Sequence, residues 1–199
     1  MDYWYLWVIF AVLCVVTVFV LIKASSAGKQ HKLESEREMN ELKRLRELKN
    51  KFTSFDKATA ESTDARSLLD GACVVMQVKI EKSENAENEF SKFSQPQKYV
   101  YTLNYILEDS EAQSLSFFFK NNGEPLISLA ANALLAIGET ELSDICRDEF
   151  AMLDENNEEV SLDANKLENL DSQFSTKSDF DKILSEIKAY IIDNIADFQ

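Results

Sequence analysis

The sequence predicts an all-α protein, a compact multi-helix domain with an N-terminal single-pass transmembrane helix and a helical stalk. Three observations support this fold class. The 199 residues include only four Gly and two Pro but 13 Phe, a composition that favours helices over the many turns of a β-sandwich. Apolar residues recur at helical spacing over most of the chain after Ser62. Finally, residues 3–22 form an uncharged run that is long enough to cross a bilayer.

Charge divides the chain into two parts. The whole sequence contains 35 acidic and 21 basic residues, which gives a net charge of −14. Residues 1–56 hold nine basic and seven acidic residues, whereas residues 57–199 hold 12 basic and 28 acidic ones, a net −16. A domain this acidic repels nucleic acid and most membrane surfaces and attracts basic partners. We therefore expect a basic protein as partner and no direct binding to nucleic acid.

Residues 1–23 are the predicted membrane anchor. As a helix, the run from Tyr3 to Ile22 would be about 30 Å long, which is the thickness of one bilayer core. Aromatic residues crowd its first turns, as in an interfacial belt. A cleaved signal peptide is the alternative, because residues 25–27 resemble a cleavage site. Against it, the segment before the run holds Asp2 and no basic side chain, and the run is too long for a signal peptide.

The orientation of this anchor follows from the distribution of basic residues. Four of them, Lys23, Lys29, Lys32 and Arg37, follow the uncharged run, and none precedes it. Since basic residues accumulate on the cytoplasmic side of membrane spans, the N-terminus is expected outside and the C-terminal domain in the cytoplasm. The predicted location is the cell membrane.

Residues 24–56 are the predicted basic stalk. From Lys29 onward the segment is highly charged and free of Gly and Pro, and it carries a narrow apolar stripe at helical spacing. The members of the stripe are Leu42, Leu45, Leu48, Phe52 and Phe55. This stripe is shorter than the three to four heptads that indicate a coiled coil. We expect it to pack on the domain or on itself, and self-association through the stalk is the alternative. The only histidine, His31, is expected to be solvated.

Residues 57–199 are the predicted acidic domain. Its first helix is expected from Leu68 to Ile80, although residues 74–80 alone would also suit a strand. Residues 81–95 are polar and acidic and predict a loop. Pro96 opens a second helix, whose apolar positions are Tyr99, Leu103, Ile106 and Leu107. A short helix containing Phe117–Phe119 follows.

The next helix, over residues 125–137, is the predicted centre of the domain. Gly123 can adopt the left-handed conformation that ends the preceding helix, and Pro125 suits the first turn of the new one. Gly138 is expected to end it. Apolar side chains occupy nearly every position between these residues, so we expect burial on nearly every side.

The remaining residues predict two further helices and a loop. Residues 139–153 predict an amphipathic helix with a buried face formed by Leu142, Ile145, Cys146, Phe150 and Leu153. Residues 154–166 predict an acidic loop, and residues 167–174 predict a short helical turn. Ser178 with Asp181 resembles a capping box at the start of the last helix, which extends to Phe198.

No spacing of residues indicates an active site, so we expect a protein that is not an enzyme and that uses no metal and no cofactor. One histidine excludes most His-based triads and His-rich metal sites, and the chain has no P-loop, GxGxxG, HExxH or nucleophile elbow. The acidic run 154–163 lacks the spacing and the central Gly of an EF-hand. The three cysteines, Cys14, Cys73 and Cys146, lie far apart in apolar surroundings and are expected to be small buried residues.

The acidic surface is the remaining signal of function. Glu141, Asp144 and Asp148 share one face of the 139–153 helix, with rises of roughly 4.5 and 6 Å between them. Duplex DNA presents one phosphate per ~1.7 Å of helix axis, counting both strands, so carboxylates on a rigid helix can imitate part of that pattern. The candidate partner-binding residues are these three together with Asp154, Glu155, Glu158 and Glu159 of the following loop. An ordinary solvated face is the alternative.

Several motifs resemble the DNA-mimic protein (DMP) family of bacteria over about residues 99–198. They are ISLAANALLAIG (127–138), the helix after it, NLDSQF (169–174) and IKAYIIDNIADF (187–198). The family hallmark resembles NGGFxQYFxNSSG; here residues 111–124 read EAQSLSFFFKNNGE, which keeps the aromatic run and Asn122–Gly123 but replaces NGG with Ala112, Gln113 and Ser114. The resemblance implies an α-helical, non-enzymatic acidic protein that can occupy the basic surface of a DNA-binding protein.

These observations together predict a membrane-tethered cytoplasmic domain that binds a basic protein surface, with DNA mimicry as the mode of binding. The alternative is an anchored scaffold or immunity-type protein whose partner docks through an apolar groove, with the acidity serving only solubility.

Overall fold

The computed structural model describes residues 39–40, 43–52, 55–152 and 164–199, and all regular structure within these ranges is helical. The predicted all-α class is confirmed for this part of the chain. The chain divides into two compact units, residues 1–47 and Leu48–Gln199. The predicted anchor, residues 1–23, lies outside the described residues, as do His31, Leu42 and Cys14. Among the helices that are described, none combines the length and the apolarity needed to span a membrane.

The helices are numbered here in chain order. They are α1 (residues 43–51), α2 (Lys57–Ser62), α3 (Ala65–Glu81), α4 (Ala86–Ser91), α5 (Gln95–Ala112), α6 (Leu115–Asn121), α7 (Leu126–Ala136), α8 (Thr140–Phe150), α9 (Ala164–Lys177) and α10 (Phe180–Asp193), followed by a 3-10 turn (Ile195–Phe198). Because α3 spans residues 74–80, the strand alternative for that segment is wrong.

Short polar side chains begin most of these helices by accepting otherwise unpaired backbone N–H groups. At α5, the Ser94 hydroxyl accepts from the Gln97 N–H at 3.4 Å, and the Gln97 side chain accepts from the Ser94 N–H at 3.0 Å, which completes a capping box. The predicted Ser178 box is wrong by one residue. Asp179 caps α10 by accepting from the Lys182 N–H at 3.1 Å, whereas the Ser178 hydroxyl donates to the Phe174 carbonyl of α9 at 2.7 Å.

Helix α5 lies at the centre of the domain, because it packs against α3, α6, α7 and α10. Its side chains Val100, Leu103 and Ile106 are buried. Helix α7, by contrast, packs mainly on α5 and α8 and buries one side only. The prediction that α7 is buried on nearly every side is therefore wrong, and Leu135 on its outer side is 47% exposed.

The predicted end of α7 is confirmed, whereas the predicted roles of the residues before its start are wrong. Gly138 has a φ of 93° and ends the helix, as predicted. Gly123 is not left-handed; α6 ends instead at Asn122, which has a φ of −115° and whose side chain donates to the Phe118 carbonyl at 2.9 Å. Pro125 is the N-cap of α7 rather than part of its first turn, and the Glu124–Pro125 peptide bond is cis.

Two segments predicted as loops contain helix. Residues 81–95 include α4, because Phe90 anchors it by packing on Phe93 and Tyr101, with ring centroids 5.8 and 5.7 Å apart. Helix α9 begins at Ala164, within the segment predicted as a loop, and continues to Lys177, so it is much longer than a turn. Its Leu170 and Phe174 are buried. Each segment has few apolar anchors in polar surroundings, which explains why periodicity did not predict α4 and predicted only residues 167–174 of α9.

The second unit includes part of the segment that was predicted as a stalk. Leu48, Phe52 and Phe55 are buried in its core, and the Phe55 ring lies 5.7 Å from the ring of Phe198. Three members of the narrow stalk stripe therefore pack against the helices of the domain. The second compact unit extends from Leu48 to Gln199, and the domain boundary at residue 57 stays a prediction.

Candidate functional site

The candidate interface is the outer face of α8. On its inner side, Leu142, Ile145 and Cys146 are buried, and the Ser143 hydroxyl donates to the Ala131 carbonyl of α7 at 2.7 Å. These contacts hold α8 against α7 in one rotational orientation. The same orientation leaves the three acidic residues of the outer face exposed, namely Glu141, Asp144 and Asp148.

Two of these three carboxylates are paired with cations of the same chain. The Lys177 ammonium of α9 donates to Glu141 Oε2 at 2.6 Å, and Arg147 Nη1 donates to Asp144 Oδ1 at 2.8 Å. Within the described ranges, Asp148 makes no ion pair. The face is therefore an alternation of carboxylates and cations rather than an unbroken row of negative charge.

The ion pair with Lys177 favours the charged form of Glu141, and neither ion pair holds its carboxylate strongly. The hydrogen bond from Lys177, together with its charge, lowers the pKa of Glu141. All four partners of the two pairs are largely exposed, and exposed pairs of this kind contribute little to stability. A cation from another protein can consequently replace Lys177 or Arg147 at small cost.

The other four candidate residues, Asp154, Glu155, Glu158 and Glu159, lie outside the described residues. In sequence they follow α8 directly. Their part in a binding surface stays a prediction, as does that of the three residues on α8.

The most unusual acidic residue of α8 is one that the sequence analysis did not single out. Glu149 is fully buried, and among the residues that the structure describes neither of its carboxylate oxygens has a hydrogen-bond partner. The nearby Ser116 hydroxyl donates to Asp171 of α9 at 2.7 Å, and the Ser116 N–H donates to the same carboxylate at 2.8 Å. Asp171 thus holds the first turn of α6, and Glu149 lies beside this pair.

Burial raises the pKa of Glu149 to about 8, and the negative charge of Asp171 adds to the rise. The Ser116 hydroxyl opposes the rise by more than Asp171 adds to it, and the charge of Lys120 opposes it least. At neutral pH, Glu149 is therefore mostly protonated and adds no charge to the acidic surface. Its position three residues after Cys146 and four after Ile145 was the available signal, because that spacing continues the buried face of α8.

A second set of charged side chains fixes α10 to the turn before α8. The Lys182 ammonium lies 2.7 Å from Glu139 Oε1 and 3.4 Å from Glu186 Oε1. The hydrogen bond with Glu139 raises the pKa of Lys182, while burial, followed by the proximity of Glu139, raises the pKa of Glu186. Since Glu139 is largely buried and occupied by this lysine, the set is a contact between helices rather than a surface for a partner.

The described part of the chain offers little for metal or thiol chemistry. Within it, no group of three or more His, Cys, Asp or Glu side chains is arranged to hold a metal ion. Cys73 and Cys146 are buried free thiols, as predicted for these two residues. Burial raises the pKa of both thiols, so both stay protonated and unreactive.

Comparison with known protein families matches residues 91–194 to the family described as DMP19-like protein. The match covers just over half of the chain and extends from the end of α4 to the end of α10. The searches of curated proteins and of solved structures find no match. The resemblance noted from the motifs of residues 99–198 is thereby confirmed.

Proposed function

This chain belongs to the DMP19-like protein family, and on that premise we propose that its acidic domain acts as a DNA mimic that occupies the basic surface of a DNA-binding protein. The observation that carries the proposal is the exposed acidic face of α8 on a domain whose residues 57–199 carry a net −16. The role is a non-enzymatic one, in which binding itself is the activity.

The spacing on α8 supports this mode of binding. Glu141 and Asp148 are seven residues apart, which corresponds to about 10.5 Å along a helix. Three phosphate steps along one DNA strand rise about 10.2 Å along the duplex axis at ~3.4 Å each. The length of the face therefore matches the axial rise of three phosphate steps, and Asp144 lies between its two ends. Their rigid helical support means that little ordering is needed when a partner binds.

The internal cations do not prevent such binding. When an arginine of the partner approaches Glu141, it replaces Lys177, and the displaced ammonium returns to solvent. Because both the old and the new pairs lie at the surface, the exchange is close to neutral for each pair. The net attraction comes from the excess of acidic residues over the whole domain. We include Asp154, Glu155, Glu158 and Glu159 in the proposed surface because they extend this excess in sequence.

We also propose, from the sequence, that residues 3–22 anchor the chain in the cell membrane with the acidic domain in the cytoplasm. The distribution of basic residues around the uncharged run supports this topology. An anchored DNA mimic would hold its partner at the membrane and away from DNA.

Capture from a cell extract, with the full chain in detergent as bait, tests the proposed function. The expected partner is a basic DNA-binding protein that elutes when salt is raised, because exposed charges are screened over about 8 Å at physiological ionic strength. Duplex DNA should elute the same partner, because the bait and the DNA compete for one surface. Capture that resists both salt and DNA would favour the scaffold alternative.

A further inference from the structure

A groove lies between α4 and the start of α7, above α5. It consists of two adjoining cavities of about 290 and 320 Å³, which share the lining residues Glu87, Phe90, Glu124 and Pro125. None of the acidic residues of the outer face of α8 lines it. The groove is therefore a second surface feature, separate from the candidate interface described above.

The floor of the groove is apolar. Phe90 and Tyr101 are buried with their ring centroids 5.7 Å apart, and Ile80, Leu126 and Leu129 are only partly buried. Each of the latter three keeps apolar surface that a partner can cover. At the rim, a Cβ added to Gly123 would have no atom of the described part of the chain within 4 Å, so these residues leave the entrance open at this turn.

The rim of the groove is predominantly acidic. Glu87, in the first turn of α4, and Glu124, directly before Pro125, are both exposed. Among the described residues that line the groove, Lys98 is the one cation; its ammonium donates to the Ser91 carbonyl at 2.9 Å, which holds it against α4. Two carboxylates at the mouth of an apolar groove select for an apolar group with positive charge beside it.

We propose that this groove binds a segment of a partner protein in which Leu or an aromatic residue is flanked by Lys or Arg. Each cavity is large enough to accept one such side chain, and covering it removes apolar surface of both proteins from water. The flanking cations reach Glu87 and Glu124. A second copy of this chain and an acidic peptide would both be repelled by the charge of the domain.

This inference deepens the proposed function, since the same basic partner is the expected occupant. Charge alone attracts many basic proteins, whereas an apolar anchor in a shaped groove distinguishes among them. Helix α7 connects the two surfaces, because its first turn lines the groove and its length packs on α8. The groove residues belong to α3, α4, α5, α7 and the turn before α7, so they can be altered without changing α8.

The test uses a phage-displayed library of random twelve-residue peptides, selected against the full chain in detergent. Enriched peptides should contain Leu or an aromatic residue next to Lys or Arg. Their affinity, measured by fluorescence anisotropy, should fall at least ~10-fold with Leu129→Ser, which removes an apolar contact, and with Glu87→Lys, which reverses the rim charge.

Two matched variants serve as controls. Leu135→Ser alters an exposed leucine on the same helix but outside the groove, and Glu168→Lys reverses an exposed charge on α9. Both should bind the peptides as the parent does, and circular dichroism should show all four variants folded. Equal binding by all variants, or a selection that yields no basic peptide with an apolar residue, would overturn the proposal.

The triple substitution of the α8 face separates this proposal from the proposed function. Glu141→Gln with Asp144→Asn and Asp148→Asn should leave peptide binding in the groove within ~2-fold of the parent, because it alters none of the lining residues. If peptides bind the groove but DNA does not compete with this chain for the captured partner, DNA mimicry is contradicted and the groove proposal is not. If peptides do not bind the groove but DNA does compete for the captured partner, only the groove proposal is contradicted.

Discussion

The ring of Phe52 packs directly against Gly71, so closely that a Cβ at residue 71 would overlap the ring. Phe52 is only 1% exposed, and its ring also lies 4.9 Å from that of Phe55. Glycine within a helix such as α3 normally costs about 1 kcal/mol relative to alanine. The close approach of the ring explains why this helix nevertheless contains glycine, and it joins the end of α1 to the core.

Gly71→Ala should therefore destabilise the protein despite its better helix propensity. Overpacking of a filled core costs about 1–3 kcal/mol, and the ring that the new Cβ would overlap is itself buried. The measurement is the free energy of unfolding in urea. Gly123→Ala is the control, because Gly123 is exposed and open space surrounds its Cβ position, so the change should be close to neutral. Equal effects at both positions would contradict the packing of Phe52.

Adjacent leucines of α7 should respond very differently to truncation. Leu134 is 1% exposed, so Leu134→Ala should cost ~2–5 kcal/mol through lost burial and the cavity that remains. Leu135 is 47% exposed, and Leu135→Ala should change the free energy of unfolding by less than about 0.5 kcal/mol, as surface substitutions generally do. A loss under about 1 kcal/mol at Leu134 would contradict the orientation of α7.

The same two leucines show where sequence reasoning succeeded and where it could not. Composition and spacing predicted α7 as an element, because Gly138 and the apolar run are local signals. They did not predict that Leu135 faces solvent, because the uncovered side depends on which helices pack against α7. The two polar residues of α7, Ser128 and Asn132, share the exposed side with Leu135, but two residues are a weak signal of orientation.

Stability should decline as the pH rises through the range in which Glu149 titrates. The folded state keeps the Glu149 proton until about pH 8, whereas the unfolded chain releases it near pH 4.5. Between these values the unfolded state binds fewer protons than the folded state, so each pH unit lowers the free energy of unfolding by up to ~1.4 kcal/mol. Below pH 4.5 and above pH 8 this contribution is constant.

Glu149→Gln should remove this dependence, because glutamine does not titrate. Unfolding in urea at several pH values between 5 and 9 measures it for parent and variant. The difference in free energy, variant minus parent, should increase with pH and level off above about pH 8. Parallel curves for the two proteins would show that Glu149 is ionised in the folded state or that its pKa is ordinary.

The proposed anchor predicts the topology of the chain. Because basic residues follow the uncharged run of residues 3–22 and none precedes it, the C-terminus should be cytoplasmic. Reporters fused after Gln199 measure this: a cytoplasmic reporter should be active, and one that requires export should be silent. The reverse pattern, or a mature protein that begins near Gly28, would contradict the anchor.

The acidic face of α8 was predictable as a helix face but not as an electrostatic surface. Helical spacing brings Glu141, Asp144 and Asp148 together, and that signal is local. Lys177, which pairs with Glu141, is 36 residues away in sequence, and its approach depends on how α9 packs on α8. Asp171 and Ser116 are 55 residues apart, so the environment of Glu149 also could not be predicted from the residues near it in sequence.

The central claim, that the face of α8 occupies a DNA-binding surface, is tested most directly by competition. The captured partner is bound to a fluorescent DNA duplex, and the full chain is added at low and at raised salt. The parent should displace the duplex, and Glu141→Gln with Asp144→Asn and Asp148→Asn should displace it at least ~10-fold less well. A matched triple, Asp181→Asn with Asp193→Asn and Asp197→Asn, removes the same charge from exposed positions elsewhere and should act as the parent does. Displacement that is equal for all three proteins, or no displacement by the parent, would contradict the claim.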